Sequence, residues 1–194
     1  MKIILASKSG VRKQILDKYD IDNEVIVSNV DEDEIKESLL AEGANPLTIS
    51  KNLAEIKSIK VSNKQPNRLV LGADSVIALN EELINKPNSR EEAFEILKRL
   101  NNSKHYLISS VCISKNGAMI WNHTESSELK MKNLTNEELL LYLSKIKTKT
   151  LLAYGVYQIE AEGLELFEYV KGDMDSIMGL PVKEIKSYIE QFKK

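Results

Sequence analysis

Apolar residues along this chain fall into short blocks whose spacing alternates between that of strands and that of helices. The run Lys2–Ala6 is typical of a buried strand, and Val11, Ile15 and Leu16 follow at helical spacing behind Ser9, a residue suited to an N-cap. We predict further strands at Glu24–Ser28, Arg68–Leu79, Tyr106–Ser114 and Ala118–Leu129. Further helices are predicted at Asp31–Leu40, from Pro46 to Val61, from Ser89 to Leu100, from Thr135 and from Pro181, whereas Thr148–Gly179 is predicted to be rich in loops.

The fold class follows from how these elements are mixed. Asn116-Gly117 separates the last two predicted strands and favours a tight antiparallel hairpin. The run Arg68–Asp74 is apolar enough for a strand that is buried on both faces. Strands mixed with helices predict an α/β protein in which a mixed sheet is flanked by helices, and the length suits one domain over residues 1–194. The pattern does not fix the order of strands in the sheet.

Charge and cysteine content narrow the classes of protein that fit. Lys and Arg total 27 against 29 for Asp and Glu. This net charge of −2 argues against a protein that coats nucleic acid or binds an anionic membrane through its overall charge. The single cysteine, Cys112, cannot form an internal disulfide, and its apolar neighbours predict a small buried side chain. The apolar stretches are too short for a membrane helix or a signal-peptide core, so we expect a cytoplasmic protein.

The junction between the first predicted strand and the first predicted helix carries the residue types of an anion site. Ser7, Ser9, Arg12 and Lys13 would surround a helix N-terminus, where unpaired backbone N–H groups attract negative charge. A capped surface helix with solvated Arg12 and Lys13 explains the same residues. Neither a Walker A sequence nor a G-x-G-x-x-G fingerprint occurs, so both interpretations stay open.

Polar residues elsewhere are ambiguous when each is taken alone. Asp74 ends an apolar run, where a buried carboxylate needs a metal, a cation or hydrogen-bond donors, although it can also start a turn. The acidic run Asp31–Glu34 suits a first helical turn, and one of its members can face a metal. His105 and His123 lack a His or Cys partner at metal-site spacing, which argues against zinc binding and Ser/His/Asp catalysis. The segment Tyr154–Glu165 either binds a base or crosses the surface.

Four motifs become specific when they are taken together. They are Ile4–Arg12, Leu71–Val76, Asn85–Pro87 and Gly155–Glu160. Their order and spacing resemble the Maf family of nucleoside triphosphate pyrophosphatases, and Gly179–Pro181 extends the likeness over nearly the whole chain. The resemblance implies a fold like that of the inosine triphosphatase group, an elongated α/β structure with two lobes around a central cleft. It also implies cleavage of a nucleoside triphosphate to a monophosphate and pyrophosphate.

The resemblance also implies a role for individual positions. Asp74 would be the catalytic carboxylate, either as general base for water or as ligand to a divalent cation, Mg or Mn, with Glu32 as a second metal ligand. Basic residues would hold the triphosphate and offset charge on the leaving pyrophosphate. The substrate-binding set implied in this way is Ser7, Ser9, Arg12, Lys13, Lys57, Ser75, Lys86 and Glu160. The expected partner is the nucleotide, and relatives commonly form a homodimer.

The sequence departs from the family pattern at a few positions. Gly10 and Lys13 stand where relatives often have proline and a second arginine, so Lys13 would act as a point charge and not as a bidentate phosphate ligand. Ser75 replaces a usual threonine or glutamine, and Glu160 replaces a glutamine of one subfamily, which alters the preferred base edge. The sequence of Tyr157–Glu160 is closer to that of the family branch associated with methylated guanine nucleotides.

Two other functions compete with hydrolysis. One is a nucleotide-binding regulator of septum formation without catalysis, which would bind nucleotide and a partner protein. The other is a nucleic-acid module, which the acidic balance and the lack of an aromatic-basic motif make the weaker hypothesis. Turnover of nucleotide, lost when Asp74 is changed, distinguishes the enzyme from both.

Overall fold

The computed structural model describes residues 2–159 and 161–193, and a seven-stranded sheet flanked by helices runs through them. The strands are β1 Ile3–Leu5, β2 Asn23–Val25, β3 Val70–Leu79, β4 Glu82–Ile84, β5 Lys104–Lys115, β6 Ala118–Met131 and β7 Phe167–Lys171. The helices are α1 Gly10–Lys18, α2 Glu32–Ala41, α3 Pro46–Ser62, α4 Arg90–Leu100, α5 Asn136–Lys145, α6 Thr148–Tyr154, α7 Met174–Ile177 and α8 Val182–Glu190, with 3-10 turns at Glu162–Leu166 and Gln191–Lys193. The predicted mixed α/β class is confirmed.

The order of strands brings two chain segments with polar residues side by side. The sheet runs β2-β1-β3-β5-β6-β7, and β4 pairs with the far end of β3. β1 is parallel to both β2 and β3, whereas β3, β5, β6 and β7 pair antiparallel. Ile4 pairs with Val70 and Leu5 with Leu71. The residues after β1, which lead into α1, therefore lie beside the middle of β3, where Asp74 is located.

Side-chain caps fix where several helices begin. Ser9 caps α1 by accepting the Arg12 N–H at 3.3 Å, and Thr135 with Glu138 forms a reciprocal capping box at the start of α5. The same pairing of Ser89 with Glu92 at α4 forms only in part. Ser89 accepts the Glu92 N–H at 3.1 Å, but the Glu92 carboxylate accepts the N–H of Asn88 at 2.7 Å instead of that of Ser89. The N–H that precedes the cap is the one within reach of this side chain.

The segment Thr148–Gly179 contains more regular structure than its sequence pattern predicts. It holds α6, β7 and α7, and β7 forms one edge of the sheet through pairs such as Leu129 with Val170. The prediction of a loop-rich segment is wrong here. These elements have 7, 5 and 4 residues, so a hydrophobic period has almost no room to repeat within them.

Two large hydrophobic clusters form most of the core. One packs α4, α5 and α6 against the β5–β7 end of the sheet, and the other packs α1 and α8 against β1 and β3. Cys112 is buried, as predicted. Among the described residues, no helix combines the length and the apolar character that crossing a membrane requires.

Candidate active site

A cleft of about 460 Å³ lies between the two clusters, with Val11 from one and Ile177 from the other among its lining residues. This arrangement matches the two lobes around a cleft that were expected. The predicted site residues that line it are Ser7, Ser9, Arg12, Glu32, Lys57, Asp74, Ser75 and Lys86. Lys13 is not among the lining residues, and its ammonium lies 2.6 Å from the Asp17 carboxylate on the exposed side of α1. Glu160 lies outside the described residues.

Arg12 connects three segments at one end of the cleft. Its Nε donates to the carbonyl of Gly179 at 2.9 Å, and its Nη1 donates to the carbonyl of Ala73 at 3.0 Å and to Ser7 Oγ at 3.1 Å. Its Nη2 donates to Ser75 Oγ at 3.0 Å. All four acceptors are neutral, so they orient the guanidinium without neutralising it. An anion in the cleft would therefore find no carboxylate hydrogen-bonded to this guanidinium.

The surroundings of Arg12 affect its pKa in opposite directions. Burial lowers the pKa of the guanidinium, while the nearby carboxylates of Asp74 and Glu32 raise it. An arginine remains protonated through such shifts, because its ordinary pKa lies far above neutral pH. A permanently charged group is thus fixed next to the α1 N-terminus, which itself favours anions.

Lys57, Asp74 and Glu32 form a charge cluster in the cleft. Lys57 Nζ lies 2.8 Å from Asp74 Oδ1 and 2.9 Å from Glu32 Oε1. Lys57 and Asp74 are both only 5% exposed. Asp74 Oδ2 is buried and has no hydrogen-bond partner among the described residues. One carboxylate oxygen is therefore committed to the lysine, and the second is left for another ligand.

The close approach of α3 to β3 explains why Lys57 reaches Asp74. A Cβ at Gly72 would lie 2.1 Å from the Ala54 carbonyl oxygen and 2.7 Å from the Ser58 nitrogen, so only glycine permits this spacing. Gly72 and Asp74 are two residues apart on β3 and point to the same face of the sheet, the face that α3 covers. The missing side chain thus positions the helix that carries Lys57.

Glu32 and Lys86 have pKa values that reflect their place in the cleft. Burial alone would raise the pKa of Glu32, but the neighbouring ammonium groups, led by that of Lys57, outweigh it and lower this pKa. The pKa of Lys86 is lowered, mainly by desolvation within the concave cleft and further by the cations of Lys36 and Arg12, although the Glu32 carboxylate opposes the shift. Glu32 is thereby kept ionised. An anion that binds beside Lys86 would stabilise the charged form of this lysine.

The carboxylates suit a divalent cation. Mg²⁺ and Mn²⁺ prefer oxygen ligands, and carboxylates are their usual protein donors. Asp74 Oδ2 is an unpartnered buried oxygen, and Glu32 is joined to Asp74 through one shared ammonium. A buried carboxylate oxygen without a donor is costly unless a ligand or water completes it. The residues present therefore fit the cation that the sequence led us to expect.

Several lining residues were not among the predicted site residues. Lys8 and Lys36 add two cations to the cleft, and Tyr154 and Gln158 line it from Tyr154–Glu165, the segment for which base binding was one of two interpretations. Lys36 lies four residues after Glu32 on α2, so helical spacing was a usable signal for it. Lys8 lies between two residues that were selected, but a single lysine there has no distinguishing pattern.

Hydrogen bonds of buried side chains hold the segment that carries Tyr154 and Gln158. Tyr157 OH lies 3.0 Å from His105 Nε2, and Tyr142 donates its hydroxyl to the Val156 carbonyl at 3.2 Å. Burial lowers the pKa of His105 to about 4 and raises that of Tyr157, so both groups are neutral at pH 7. The support of this cleft wall is therefore an uncharged hydrogen bond.

Comparison with known proteins identifies a family and individual relatives that this chain resembles. The family model described as "Maf-like protein" matches residues 2–192. A protein of Pelagibacter ubique named "Nucleoside triphosphate pyrophosphatase" is 60% identical over 99% of this chain and 98% of its own length. A Brucella abortus protein named "7-methyl-GTP pyrophosphatase" is 31% identical over 100% of this chain and 97% of its own. A solved structure of a HAM1 protein from Coxiella burnetii is 14% identical, covers 69% of this chain and 74% of its own, and has a TM-score of 0.45.

Proposed function

The chain belongs to the Maf family, and we propose that its cleft is the active site of an enzyme that hydrolyses nucleoside triphosphates to the monophosphate and pyrophosphate. Asp74 carries this proposal. Asp74 lines a cleft that is otherwise rich in cations, and one oxygen of its buried carboxylate has no hydrogen-bond partner among the described residues. A regulator that only binds nucleotide would need the cations but not the free carboxylate oxygen.

The chemistry is a single displacement at the α-phosphorus. A water oxygen forms a bond to this phosphorus, and the bond to the oxygen that bridges the α- and β-phosphorus breaks. Pyrophosphate departs with the bond electrons, and the water proton must be taken up. Asp74 Oδ2 is the proposed proton acceptor, directly or as ligand to a cation, while Lys57 holds Oδ1 at 2.8 Å and so fixes the carboxylate.

We assign the triphosphate to the cationic side of the cleft. Arg12 is oriented by four neutral acceptors, and Lys86 has no ion pair among the described residues. Both can pair with phosphate oxygens without first breaking a salt bridge. Ser7, Ser9 and Ser75 surround Arg12 and the start of α1, where hydroxyl and backbone N–H groups add hydrogen bonds to an anion. Lys13 and Glu160 remain predictions from the sequence.

Asp74 and Glu32 would hold the divalent cation, Mg²⁺ or Mn²⁺, which supplies charge neutralisation at the phosphates and lowers the pKa of a bound water. Lys57 already lies between these two carboxylates and would keep them aligned. Tyr154 and Gln158 are the proposed contacts to the base, because they line the cleft on the wall supported by His105 and Tyr157.

Pyrophosphate release by the purified chain and by Asp74→Asn tests the proposal. The panel contains standard nucleoside triphosphates and 7-methyl-GTP, each with magnesium, manganese or chelator. We expect turnover by the unchanged chain and a drop of about 10²–10⁴-fold in Asp74→Asn, the usual contribution of a positioned acid or base. Asp33→Asn, a carboxylate that is 92% exposed on α2, is the matched control and retains full activity.

Two results would contradict the proposal. The first is an unchanged rate in Asp74→Asn with the fold intact. The second is nucleotide binding by the unchanged chain without turnover of any member of the panel, which would favour the septum regulator. As part of the same proposal we place the enzyme in the cytoplasm as a homodimer, and light scattering of the purified chain tests its mass.

A further inference from the structure

A second group of metal-ligating side chains lies outside the cleft, where β6 meets α8. His123 and Glu125 are two residues apart on β6 and share one face of the strand, and Glu184 lies in the first turn of α8. One ligand atom from each of the three residues lies within 4.8 Å of those of the other two. None of the three lines the catalytic cleft. Sequence spacing argued against a site at His123, because the third residue comes from a distant helix.

One ring nitrogen of His123 lies close to a carboxylate but makes no hydrogen bond within the described residues. Its Nε2 lies 3.4 Å from Glu125 Oε1, yet that nitrogen is buried and makes no hydrogen bond within the described residues. Trp121 stacks on the His123 ring, with centroids 6.1 Å apart and planes 8° apart, and Tyr188 of α8 stacks on Trp121 at 4.9 Å. The imidazole is therefore fixed in a plane by packing while its nitrogen remains unsatisfied.

We propose that His123, Glu125 and Glu184 bind a divalent transition metal, with Zn²⁺ as the favoured ion. One imidazole nitrogen and two carboxylate oxygens are a ligand set that suits zinc, whereas magnesium is bound by oxygen ligands alone. All three side chains are half-buried, so solvent can reach the metal and water can complete its coordination. Closing the site requires the ligand atoms to approach to about 3–3.5 Å of one another, which is the separation already found between His123 and Glu125.

This site would join β6 to the start of α8. The carbonyl of Gly179, which accepts the Arg12 Nε, precedes that helix by three residues. A metal that binds only the folded chain raises its stability in proportion to the logarithm of the metal concentration above the dissociation constant. The expected role of this metal is therefore to stabilise the contact between β6 and α8. It differs from the role of the cation that Asp74 and Glu32 would hold in the cleft.

Trp121 provides a direct readout, because it is the only tryptophan of the chain and lies against His123. Purified protein, freed of metal with a chelator that is then removed, is titrated with ZnCl₂ and separately with CoCl₂ in magnesium-free buffer. We expect a saturable change in tryptophan fluorescence with one equivalent of zinc, visible absorption bands with cobalt, and a higher melting temperature with either ion. Glu184→Gln and His123→Gln weaken binding by at least about tenfold.

Two controls separate this site from the cleft. Asp74→Asn, which removes the proposed catalytic carboxylate, binds zinc as tightly as the unchanged chain. Glu190→Gln, an exposed carboxylate on the same helix as Glu184, is the matched control and also binds normally. The inference is overturned if the unchanged chain shows no saturable response, or if Glu184→Gln, folded by circular dichroism, binds zinc as the unchanged chain does. Neither measurement depends on catalytic activity.

Discussion

Arg12 is held by carbonyl and hydroxyl oxygens alone, which is an unusual environment for a half-buried cation. Its hydrogen bonds reach the Gly179 and Ala73 carbonyls and the hydroxyls of Ser7 and Ser75. A carboxylate partner would offset its charge and compete with a bound phosphate. The side chain therefore both joins three segments of the fold and remains available as a charge for substrate.

Arg12→Lys separates these two roles. Lysine keeps the charge but cannot donate in the fixed geometry of a guanidinium, so it leaves carbonyl groups without donors. We expect the free energy of unfolding to fall by about 1–3 kcal/mol, measured by urea denaturation. Lys13→Ala, which removes an exposed ion pair on the same helix, changes it by less than about 0.5 kcal/mol. Equal losses in the two variants would show that the four hydrogen bonds of Arg12 do not support the fold.

His105 makes stability depend on pH in mildly acidic solution. Its folded pKa is lowered to about 4 from an ordinary value of 6.5, because it is buried and neutral. Between these two values the unfolded chain binds a proton that the folded chain does not. Stability is therefore fully present above about pH 6.5 and is lost as the pH falls toward 4.

The size of this effect is measurable by urea unfolding at pH 7 and pH 5. The shift predicts a loss of about 2 kcal/mol in the free energy of unfolding over this interval. His105→Gln keeps a side chain able to bond Tyr157 OH but does not titrate, so its loss over the same interval should be smaller by that amount. A variant as sensitive to pH as the unchanged chain would exclude His105 as the source.

At the residue scale, the sequence indicated which side chains have a chemical role better than it indicated which residues they contact. Asp74 was identified because a carboxylate that ends an apolar run needs a ligand. That Lys57 bridges Asp74 and Glu32 was not predicted, because the contact depends on how closely α3 approaches β3. Lys13 was grouped with Arg12 by proximity in sequence, yet it pairs with Asp17 outside the cleft lining. Adjacent residues of a helix point in different directions, so sequence proximity was a poor guide to the cleft.

At the scale of elements, the contact between α3 and β3 is the most restrictive packing in the site. Gly72 faces the backbone of Ala54 and Ser58, and backbone cannot move aside as the end of a flexible side chain can. The position of α3, and with it the distance from Lys57 to Asp74, depends on residue 72 having no Cβ.

Gly72→Ala should therefore lower both stability and activity. The added Cβ forces α3 away from β3, at a cost of about 1–3 kcal/mol in the free energy of unfolding, and it lengthens the contact between Lys57 and Asp74. Gly10→Ala is the matched control, because a Cβ there meets nothing within 4 Å and alanine suits a helix. Thermal unfolding and pyrophosphate release are measured on both variants. If Gly72→Ala equals Gly10→Ala in both, the close approach has no role.

Elements with clear caps, turns or hydrophobic periods were predictable from the sequence, whereas β7 was not. α1, α3 and the β5–β6 hairpin have clear caps, turns and periods, and the structure confirms each of them. β7 has only 5 residues and is defined by its pairing with β6, which the local sequence does not encode. The strand order is likewise a property of contacts distant in sequence, which explains why the pattern left it open.

At the scale of the whole molecule, charge is distributed unevenly. The chain has a net charge of −2, but the described residues that line the cleft include five cations and two carboxylates. The cations are Lys8, Arg12, Lys36, Lys57 and Lys86. The remaining surface is therefore more acidic than the total suggests, and the positive field is concentrated at the cleft.

This distribution predicts that catalysis depends on salt. Screening shortens the range of the field, so kcat/KM should fall several-fold between about 50 and 500 mM salt while kcat changes little. Lys8→Gln should reduce that dependence, and Lys98→Gln, which removes an exposed cation of α4 outside the cleft lining, should not. Initial rates over a salt series measure both. A kcat/KM that does not respond to salt would contradict the prediction.

A positive cleft on an acidic protein also acts on the departure of product. Pyrophosphate carries more negative charge than the nucleoside monophosphate, because it holds two phosphoryl groups where the monophosphate holds one. The attraction that speeds capture thus delays escape, and it does so unequally for the two products. Arg12, whose hydrogen bonds reach only neutral oxygens, would hold the departing pyrophosphate through the same charge that recruits the substrate.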